Sequence, residues 1–295
     1  MLLTPEFKEK VRQAILADRE NFGGSDAAYA KTLGINSSAY SRLKGGETDR
    51  ILSDSNWIAI GNQLQVTMRE NTWKVARTKV YNEIEDNLRE CQDKSQSMIL
   101  VDDCGIGKTF CARHITRRMR NAFFIDCSQA KTRIQFVKLL ARTLGVDDKG
   151  KHIDVKSNIK YALNILETPL IVLDEAGDLD YSTLLIIKEL WNSSEGNVGW
   201  YMMGADGLRS KMQKGINNHK VGFAELFSRF SEKFITLVPT GKEDRRAFYT
   251  QLIGDVAIAN TAKVPVNALI NQTYDRAEQR HRSLRHLKTL IQIAG

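Results

Sequence analysis

The spacing of apolar positions changes along the chain and divides it into segments of different predicted structure. In the first 66 residues, apolar side chains such as Phe7, Val11 and Ile15 recur at helical spacing, which predicts a compact helical domain. Further on, short apolar runs alternate with helical patterns, and the runs cover 98–101, 122–126, 170–173, 198–204 and 234–238. This alternation predicts an α/β domain whose mostly parallel sheet is covered by helices on both faces.

The two remaining segments contain no convincing strand pattern. Residues 67–97 are polar with scattered apolar side chains, including Trp73, Ile84 and Leu88, and we predict a helical connector there. Residues 240–295 have helical patterns throughout and predict a helical lid. We therefore expect four parts with the boundaries 1–66, 67–97, 98–239 and 240–295.

A glycine-rich hexapeptide, Cys-Gly-Ile-Gly-Lys-Thr at 104–109, follows the first apolar run and precedes a helical pattern. A phosphate-binding loop requires this context: its glycines turn backbone N–H groups toward phosphate, Lys108 reaches the β and γ oxygens, and Thr109 can ligate Mg²⁺. Asp102 stands where the full pattern has glycine, and its carboxylate would repel a nucleotide unless it points away. An ordinary glycine turn is the alternative. The predicted nucleotide-binding residues here are Gly105, Ile106, Gly107, Lys108, Thr109 and Phe110.

The apolar run at 170–173 ends in two carboxylates, Asp174 and Glu175. This is the pattern of a Walker B element, in which Asp174 holds Mg²⁺ and Glu175 orients or deprotonates the attacking water. The alternative is that both carboxylates only end a strand and cap the next helix. With the loop, they predict an ATPase that uses Mg²⁺.

Residues 26–44 have the pattern of a helix-turn-helix, with Ala30 where two helices cross and Gly34 in the turn. Asn36 or Ser37 would cap the second helix. That helix would present short hydroxyls and two cations to DNA, from Ser37, Ser38, Ser41, Arg42 and Lys44. A helical domain used for protein contact remains the alternative.

The net charge of +8 favours an anionic partner. The excess lies downstream of residue 95, because residues 1–95 carry equal numbers of basic and acidic side chains. Two basic clusters supply further candidate DNA contacts, at Arg113 and Arg117 and at Lys211 and Lys214, although such clusters are often only a solvated face.

Several features predict a cytoplasmic protein without a membrane partner. No apolar run approaches the roughly 20 residues of a membrane span. The N-terminus has no basic segment followed by an apolar core, so we expect no secretion. The four cysteines show no C-x-x-C spacing, which fits reduced thiols.

These motifs, together with Met203-Gly204-Ala205-Asp206, Ser228-Arg229 and Arg285 near the end of the chain, resemble the AAA+ ATPases. The helix-turn-helix in front, the length and the Gly-Ile-Gly-Lys-Thr context resemble most the transposition proteins of the Mu B type. The resemblance covers nearly the whole chain, but the connector and the lid are matched only by pattern.

The resemblance implies a P-loop AAA+ core and further site residues. Asp206 resembles the sensor-1 position, where Asn or Thr is usual, so the placement could be off by one. Arg229 resembles the arginine finger that acts on a neighbouring subunit's nucleotide, and Arg285 resembles sensor 2. Either arginine could instead be an ordinary surface cation.

The resemblance also implies partners. In this family, ATP-dependent helical filaments or rings mark duplex target DNA, largely without sequence specificity, and activate a DDE transposase that stimulates ATP hydrolysis. Two other classes stay open: a helicase loader or replication initiator, and a helix-turn-helix transcription regulator that senses nucleotide.

Overall fold

The computed structural model describes residues 3–66, 73–261, 263–275 and 280–294. Among these residues, no helix is long and apolar enough to cross a membrane. All four cysteines lie at described positions and are free thiols, and only Cys104 is exposed.

The N-terminal region is a bundle of four short helices. Their bounds are α1 Pro5–Glu20, α2 Asp26–Thr32, α3 Ser37–Lys44 and α4 Asp54–Gln63. Each helix begins after a capping side chain, and Asn36 caps α3 by accepting a hydrogen bond from the Ala39 amide at 2.7 Å. Gly34, at φ +68°, makes the turn between α2 and α3. Tyr29, Tyr40 and Trp57 are buried at the centre.

The central region contains a five-stranded parallel sheet with the order β2-β3-β4-β1-β5, which confirms the predicted fold class. The strands are β1 Ser97–Val101, β2 Ala122–Asp126, β3 Leu170–Asp174, β4 Gly199–Gly204 and β5 Phe234–Ile235. The expected fifth strand, 234–238, ends early, because the amides of Leu237 and Val238 donate to the Asp102 carboxylate and not to a neighbouring strand.

Helices cover both faces of the sheet. They are α5 Lys79–Asp93, α6 Lys108–Thr116, α7 Arg133–Thr143, α8 His152–Ile165, α9 Tyr181–Ser193, α10 Asp206–Asn217 and α11 Phe223–Arg229. Side chains alternate along β1, so that Ile99 and Val101 pack toward α7 to α11 and Leu100 packs toward α5 and α6.

Helix α5 covers part of the segment predicted as a connector, and it packs as a core element. Val80, Ile84, Leu88 and Cys91 are fully buried against the second face of the sheet. Residues 67–72 of the predicted connector lie outside the described residues.

The C-terminal region is helical, with α12 Lys242–Asn260, α13 Val266–Thr273 and α14 Leu284–Ala294. It also contains a short antiparallel pair, β6 Tyr274–Asp275 and β7 Arg280–His281, which contradicts the expectation of no strand there. Two-residue strands are too short to produce a period-two pattern in the sequence.

The N-terminal bundle is bound directly to the sheet domain. The Asn121 amide donates to the Asn21 carbonyl at 2.9 Å, and the Gly23 amide donates to Asn121 Oδ1 at 2.8 Å. Arg117 donates to the carbonyl of Gln63 at 2.6 Å, while its own carbonyl accepts from Asn21 Nδ2 at 2.7 Å. These contacts join the ends of α1 and α4 to the segment between α6 and β2.

Candidate nucleotide-binding site

The loop between β1 and α6 has the backbone conformation of a phosphate-binding loop. Gly105 and Gly107 have φ of +79° and +100°, a region that side chains with a Cβ rarely adopt. Gly107 immediately precedes Lys108, the first residue of α6, so the loop ends at a helix N-terminus. The two predicted glycines are therefore required by the backbone.

Lys108 is held within its own loop. Its ammonium donates to the carbonyls of Asp102 and Asp103 at 2.7 and 2.6 Å. Burial lowers the pKa of Lys108, and the neighbouring carboxylates of Asp102, Glu175 and Asp174 oppose this shift. A phosphate group at the loop would compensate the desolvated ammonium.

Asp102, the departure from the phosphate-loop pattern, directs one carboxylate oxygen to the backbone after β5 and the other to the Asp103 amide. The carboxylate is buried and accepts hydrogen bonds from the amides of Asp103, Leu237 and Val238, with Val238 at 3.0 Å. The side chain thus joins the start of the loop to the segment after β5. Backbone amides thus hold the carboxylate, while its charge still acts on the Lys108 ammonium.

Thr109 and Asp174 come together from the start of α6 and the end of β3. Burial raises the pKa of Asp174, and the neighbouring Thr109 hydroxyl opposes this shift. No cluster of three or more His, Cys, Asp or Glu side chains among the described residues could hold a metal ion. A hydroxyl and a buried carboxylate do fit Mg²⁺, which takes few protein ligands and completes its shell with water and phosphate oxygens.

Glu175 follows β3 in a strained backbone conformation. Its φ of +50° is unusual for a residue other than glycine, and its exposed side chain lines the same cavity as the phosphate loop. Such strain persists only where the surrounding structure enforces it, and it occurs often at functional sites.

A cavity of about 430 Å³ lies over the loop. Its lining includes the predicted residues Gly105 to Phe110, Glu175 and Arg285. Phe110 is half exposed and stacks on His114 at 6.2 Å between ring centroids. The Leu284 amide, at the start of α14, donates to the Gly105 carbonyl at 3.0 Å, so Arg285 is held beside the loop.

Sequence reasoning missed the far wall of this cavity. Trp73, Lys74 and Ala76 approach from the segment before α5, and Lys288 approaches from α14, with its ammonium 5.6 Å from the centre of the Trp73 ring. No motif marks these positions. Only the packing of α5 and α14 brings them to the loop.

Asp206 does not occupy the site. Strand β4 ends at Gly204, and Gly204 and Ala205 form that part of the wall. Asp206 is already in the first turn of α10, its side chain is 87% exposed, and its nearest ionic partner is Arg209 at 3.9 Å. We therefore withdraw Asp206 as a nucleotide-contacting residue.

Arg229 ends α11 and does not line the cavity of its own chain. Its guanidinium donates to Asn192 Oδ1 and to the Glu225 carbonyl, and it lies over the Trp191 ring at 5.3 Å from the centroid. Any action of Arg229 on a nucleotide would therefore take place in another subunit, and the arginine-finger role stays a prediction.

The predicted DNA-contacting helix, α3, is exposed as expected. Ser37, Ser38 and Ser41 lie at the surface together with Arg42 and Lys44. Both cations are paired within the chain: Arg42 with Glu47 at 2.7 Å and Lys44 with Asp26 at 3.1 Å. DNA phosphates would have to replace these exposed ion pairs.

Three of the four other predicted DNA contacts are engaged inside the protein, and only Lys214 is exposed. Arg113 lies over the Phe124 ring and 3.8 Å from Asp126. Arg117 holds the carbonyl groups at the end of α4, and Lys211 donates to two carbonyls after β3. We withdraw Arg117 and Lys211 as DNA contacts, because each side chain is bound to two backbone carbonyls within the protein.

Residues 89–212 match the sequence model of the AAA domain family. Among solved structures, the chain is similar to the Aeropyrum pernix Orc1 protein in complex with DNA, at 15% identity and a TM-score of 0.53 over 76% of this chain and 61% of that chain. It is also similar to NtrX from Brucella abortus in complex with ATP, at 13% identity and a TM-score of 0.41 over 92% of this chain and 64% of that chain. The chain thus spans less than two thirds of either structure. No curated protein matches it.

The sheet order, the loop and the family match define the class of the protein. It is an α/β P-loop protein of the AAA fold, with helices before and after the sheet domain. Residues 89–212 contain the phosphate loop, the Asp174-Glu175 pair and most of the sheet, so the family match includes the candidate site.

Proposed function

We propose that this protein binds and hydrolyses ATP with Mg²⁺, that its ATP-bound form assembles on duplex DNA, and that it recruits or activates a DDE transposase there. Hydrolysis would then release the assembly. The observation that carries the ATPase part is the convergence at one cavity of the glycine loop, Lys108, Thr109 and Glu175, with the buried Asp174 beside Thr109.

The proposed chemistry assigns one task to each group. The loop amides and Lys108 bind phosphate oxygens, and Thr109 and Asp174 hold Mg²⁺, which neutralises charge on the phosphate oxygens. The Glu175 carboxylate orients the attacking water and accepts its proton. Arg285, beside the loop, adds positive charge from the C-terminal region.

The base of the nucleotide would occupy the other end of the cavity. Trp73 offers an aromatic face and Ala76 a small apolar surface there, with Leu284 on the side of α14. A purine base stacks well on an indole ring. Lys288 also lines this end of the cavity, with its ammonium over the Trp73 ring.

Assembly on DNA is supported by three features. The exposed helix α3 follows a turn of helix-turn-helix type, the net charge is +8, and Arg229 lies outside the cavity of its own chain. A nucleotide between subunits would make assembly depend on ATP, and repeated subunits would gain DNA affinity by multivalency. The structurally similar Orc1 protein was solved in complex with DNA, which favours a DNA partner.

The transposase part rests on the motif resemblance to Mu B type proteins, and two other functions compete with it. A helicase loader or replication initiator would bind a replicative helicase or prefer single strands. A transcription regulator would bind one operator tightly and show little dependence of DNA affinity on ATP.

The test is DNA binding to random-sequence duplex, measured with ATP, with ADP and without nucleotide. We expect ATP to raise the affinity and to produce large complexes visible by light scattering. Equal binding in all three conditions, with one preferred sequence, would favour the regulator. Preference for single strands would favour the loader. Addition of candidate transposases should then accelerate ATP hydrolysis.

A further inference from the structure

Lys211, on α10, reaches across to the turn that follows β3. Its ammonium donates to the carbonyls of Gly177 and Leu179, the latter at 2.8 Å. Burial lowers the pKa of Lys211, while the carboxylates of Asp178 and Asp180 oppose this shift. A partly buried ammonium that donates to two backbone carbonyls is committed to contacts within the protein.

The turn that Lys211 holds begins at Glu175. Residues Ala176–Asp178 form a single 3₁₀ turn, closed by a hydrogen bond from the Asp178 amide to the Glu175 carbonyl at 2.9 Å. The strained φ of Glu175 must be maintained by contacts around this short turn. A 3₁₀ turn of three residues has few hydrogen bonds of its own to do so.

Helix α10 supplies a second contact to the same turn. A Cβ added to Gly177 would lie only 3.2 Å from the Leu208 nitrogen, so the turn packs directly against the first turn of α10. Lys211 is three residues after Leu208 and therefore lies on the same face of the helix. Helix α10 thus holds the turn by packing at Leu208 and by hydrogen bonds at Lys211.

We propose that Lys211 is a positioning residue for Glu175: by binding the Gly177 and Leu179 carbonyls, it fixes the turn from which the Glu175 carboxylate enters the nucleotide cavity. The inference rests on the proposed ATPase function. It assigns Lys211 to ATP hydrolysis and not to DNA. Lys211 does not line the cavity, so it acts through the backbone and not on the nucleotide.

The test compares Lys211→Met, Lys211→Arg and Lys156→Met in the full chain. Lys156 is a matched control, because its half-buried ammonium also makes two hydrogen bonds, both to the Glu189 carboxylate. Like Lys211, Lys156 does not line the cavity. We expect Lys211→Met to lower kcat about 10- to 100-fold, since a small misplacement of a catalytic group costs that much, while ATP affinity stays within about twofold. Lys211→Arg should recover part of kcat, and Lys156→Met should retain it.

A double-mutant cycle separates positioning from a loss of folding. In the Glu175→Gln background, Lys211→Met should have almost no further effect on kcat, because the group that it positions is already gone. A structural role would instead lower thermal stability and ATP binding and would act equally in both backgrounds. If Lys211→Met does not fold, Lys211→Gln and Lys211→Arg are compared in the same cycle.

Three results would overturn the inference: a kcat of Lys211→Met equal to that of the wild type, an equal loss in both backgrounds, or a loss of DNA affinity alone. Failure of the proposed function looks different. In that case the wild type would not hydrolyse ATP, or the Lys108→Ala variant would bind ATP normally.

Discussion

The Asp103 carboxylate accepts hydrogen bonds from the Arg245 guanidinium and the Tyr249 hydroxyl, both on α12. The carbonyl of the same residue accepts from Lys108 at 2.6 Å. One residue of the phosphate loop therefore contacts both the phosphate-binding lysine and the C-terminal helices. Together with the hydrogen bond from the Leu284 amide to Gly105, this ties the C-terminal region to the loop at two points.

We expect the Asp103–Arg245 pair to contribute modestly to ATP affinity. Arg245 is 42% exposed, so solvent screens the pair, and a double-mutant cycle of Asp103→Ala and Arg245→Ala should give about 0.2 to 1 kcal/mol. This corresponds to less than about a sixfold change in the ATP dissociation constant, measured by titration. Arg246→Ala, at the neighbouring position, serves as the control. A coupling of zero would mean that the pair does not connect α12 to nucleotide binding.

Substitutions at the loop and after β3 should separate binding from turnover. Lys108→Ala should abolish ATP binding, because it removes the charge that faces the phosphates. Glu175→Gln should keep binding and lower kcat by about 10² to 10³. Lys94→Ala, which removes only an exposed ion pair with Glu90, should match the wild type. Normal ATP affinity in the Lys108 variant would contradict the site.

Substitution of exposed cations should change the salt dependence of DNA binding, whereas substitution of a cation bound within the protein should not. If Arg42 and Lys44 each meet a phosphate, the double variant to Ala should reduce the slope of log K against log salt by about 1.8, or 0.9 for each contact. Arg117→Ala should leave that slope unchanged, because its donors hold the end of α4. It should instead lower the free energy of unfolding by about 1 to 3 kcal/mol. If Arg117→Ala reduced the slope and left the free energy of unfolding unchanged, Arg117 would be restored as a DNA contact.

Arg229→Ala should leave the chain folded and able to bind ATP, yet impair hydrolysis and assembly on DNA. An arginine finger contributes about 10³ to 10⁵ in rate. Mixing Arg229→Ala with Lys108→Ala should recover some activity, because each variant supplies the half-site that the other lacks. Arg142→Ala replaces Arg229→Ala in the control, both alone and mixed with Lys108→Ala. Normal hydrolysis and normal assembly of the Arg229 variant would favour a monomeric nucleotide sensor.

Asp18 predicts a pH dependence of the stability. It lines a cavity of about 540 Å³ between the N-terminal bundle and the sheet domain, and burial raises its pKa. Protonated Asp18 adds most to the free energy of unfolding below the ordinary pKa of aspartate. This contribution is lost as the pH rises through the raised pKa of the folded state. Asp18→Asn can still accept from Tyr29 and has no such titration. Its melting temperature relative to the wild type should therefore rise as the pH increases from 3.8, the ordinary pKa of aspartate, toward neutrality, and a constant difference would contradict this.

The local pattern of the sequence was sufficient for the features that neighbouring residues decide. The glycine loop, the five strands and the turn at Gly34 follow from backbone conformations that glycine alone adopts readily and from apolar periodicity, both of which are local. The exposure of Ser37, Ser38, Ser41, Arg42 and Lys44 on α3 follows in the same way from the spacing of its buried side chains.

Only the tertiary structure decided which partner each long polar side chain meets. Asp102 binds amides about 135 residues away, and Arg117 and Lys211 turn inward to carbonyl groups. Asp206 faces solvent although it directly follows Ala205, which lines the cavity. The Trp73 wall of the cavity likewise depends on how α5 and α14 pack. A charged group binds whichever dipole or ion the fold brings within about 3 Å, and this proximity is absent from any local pattern.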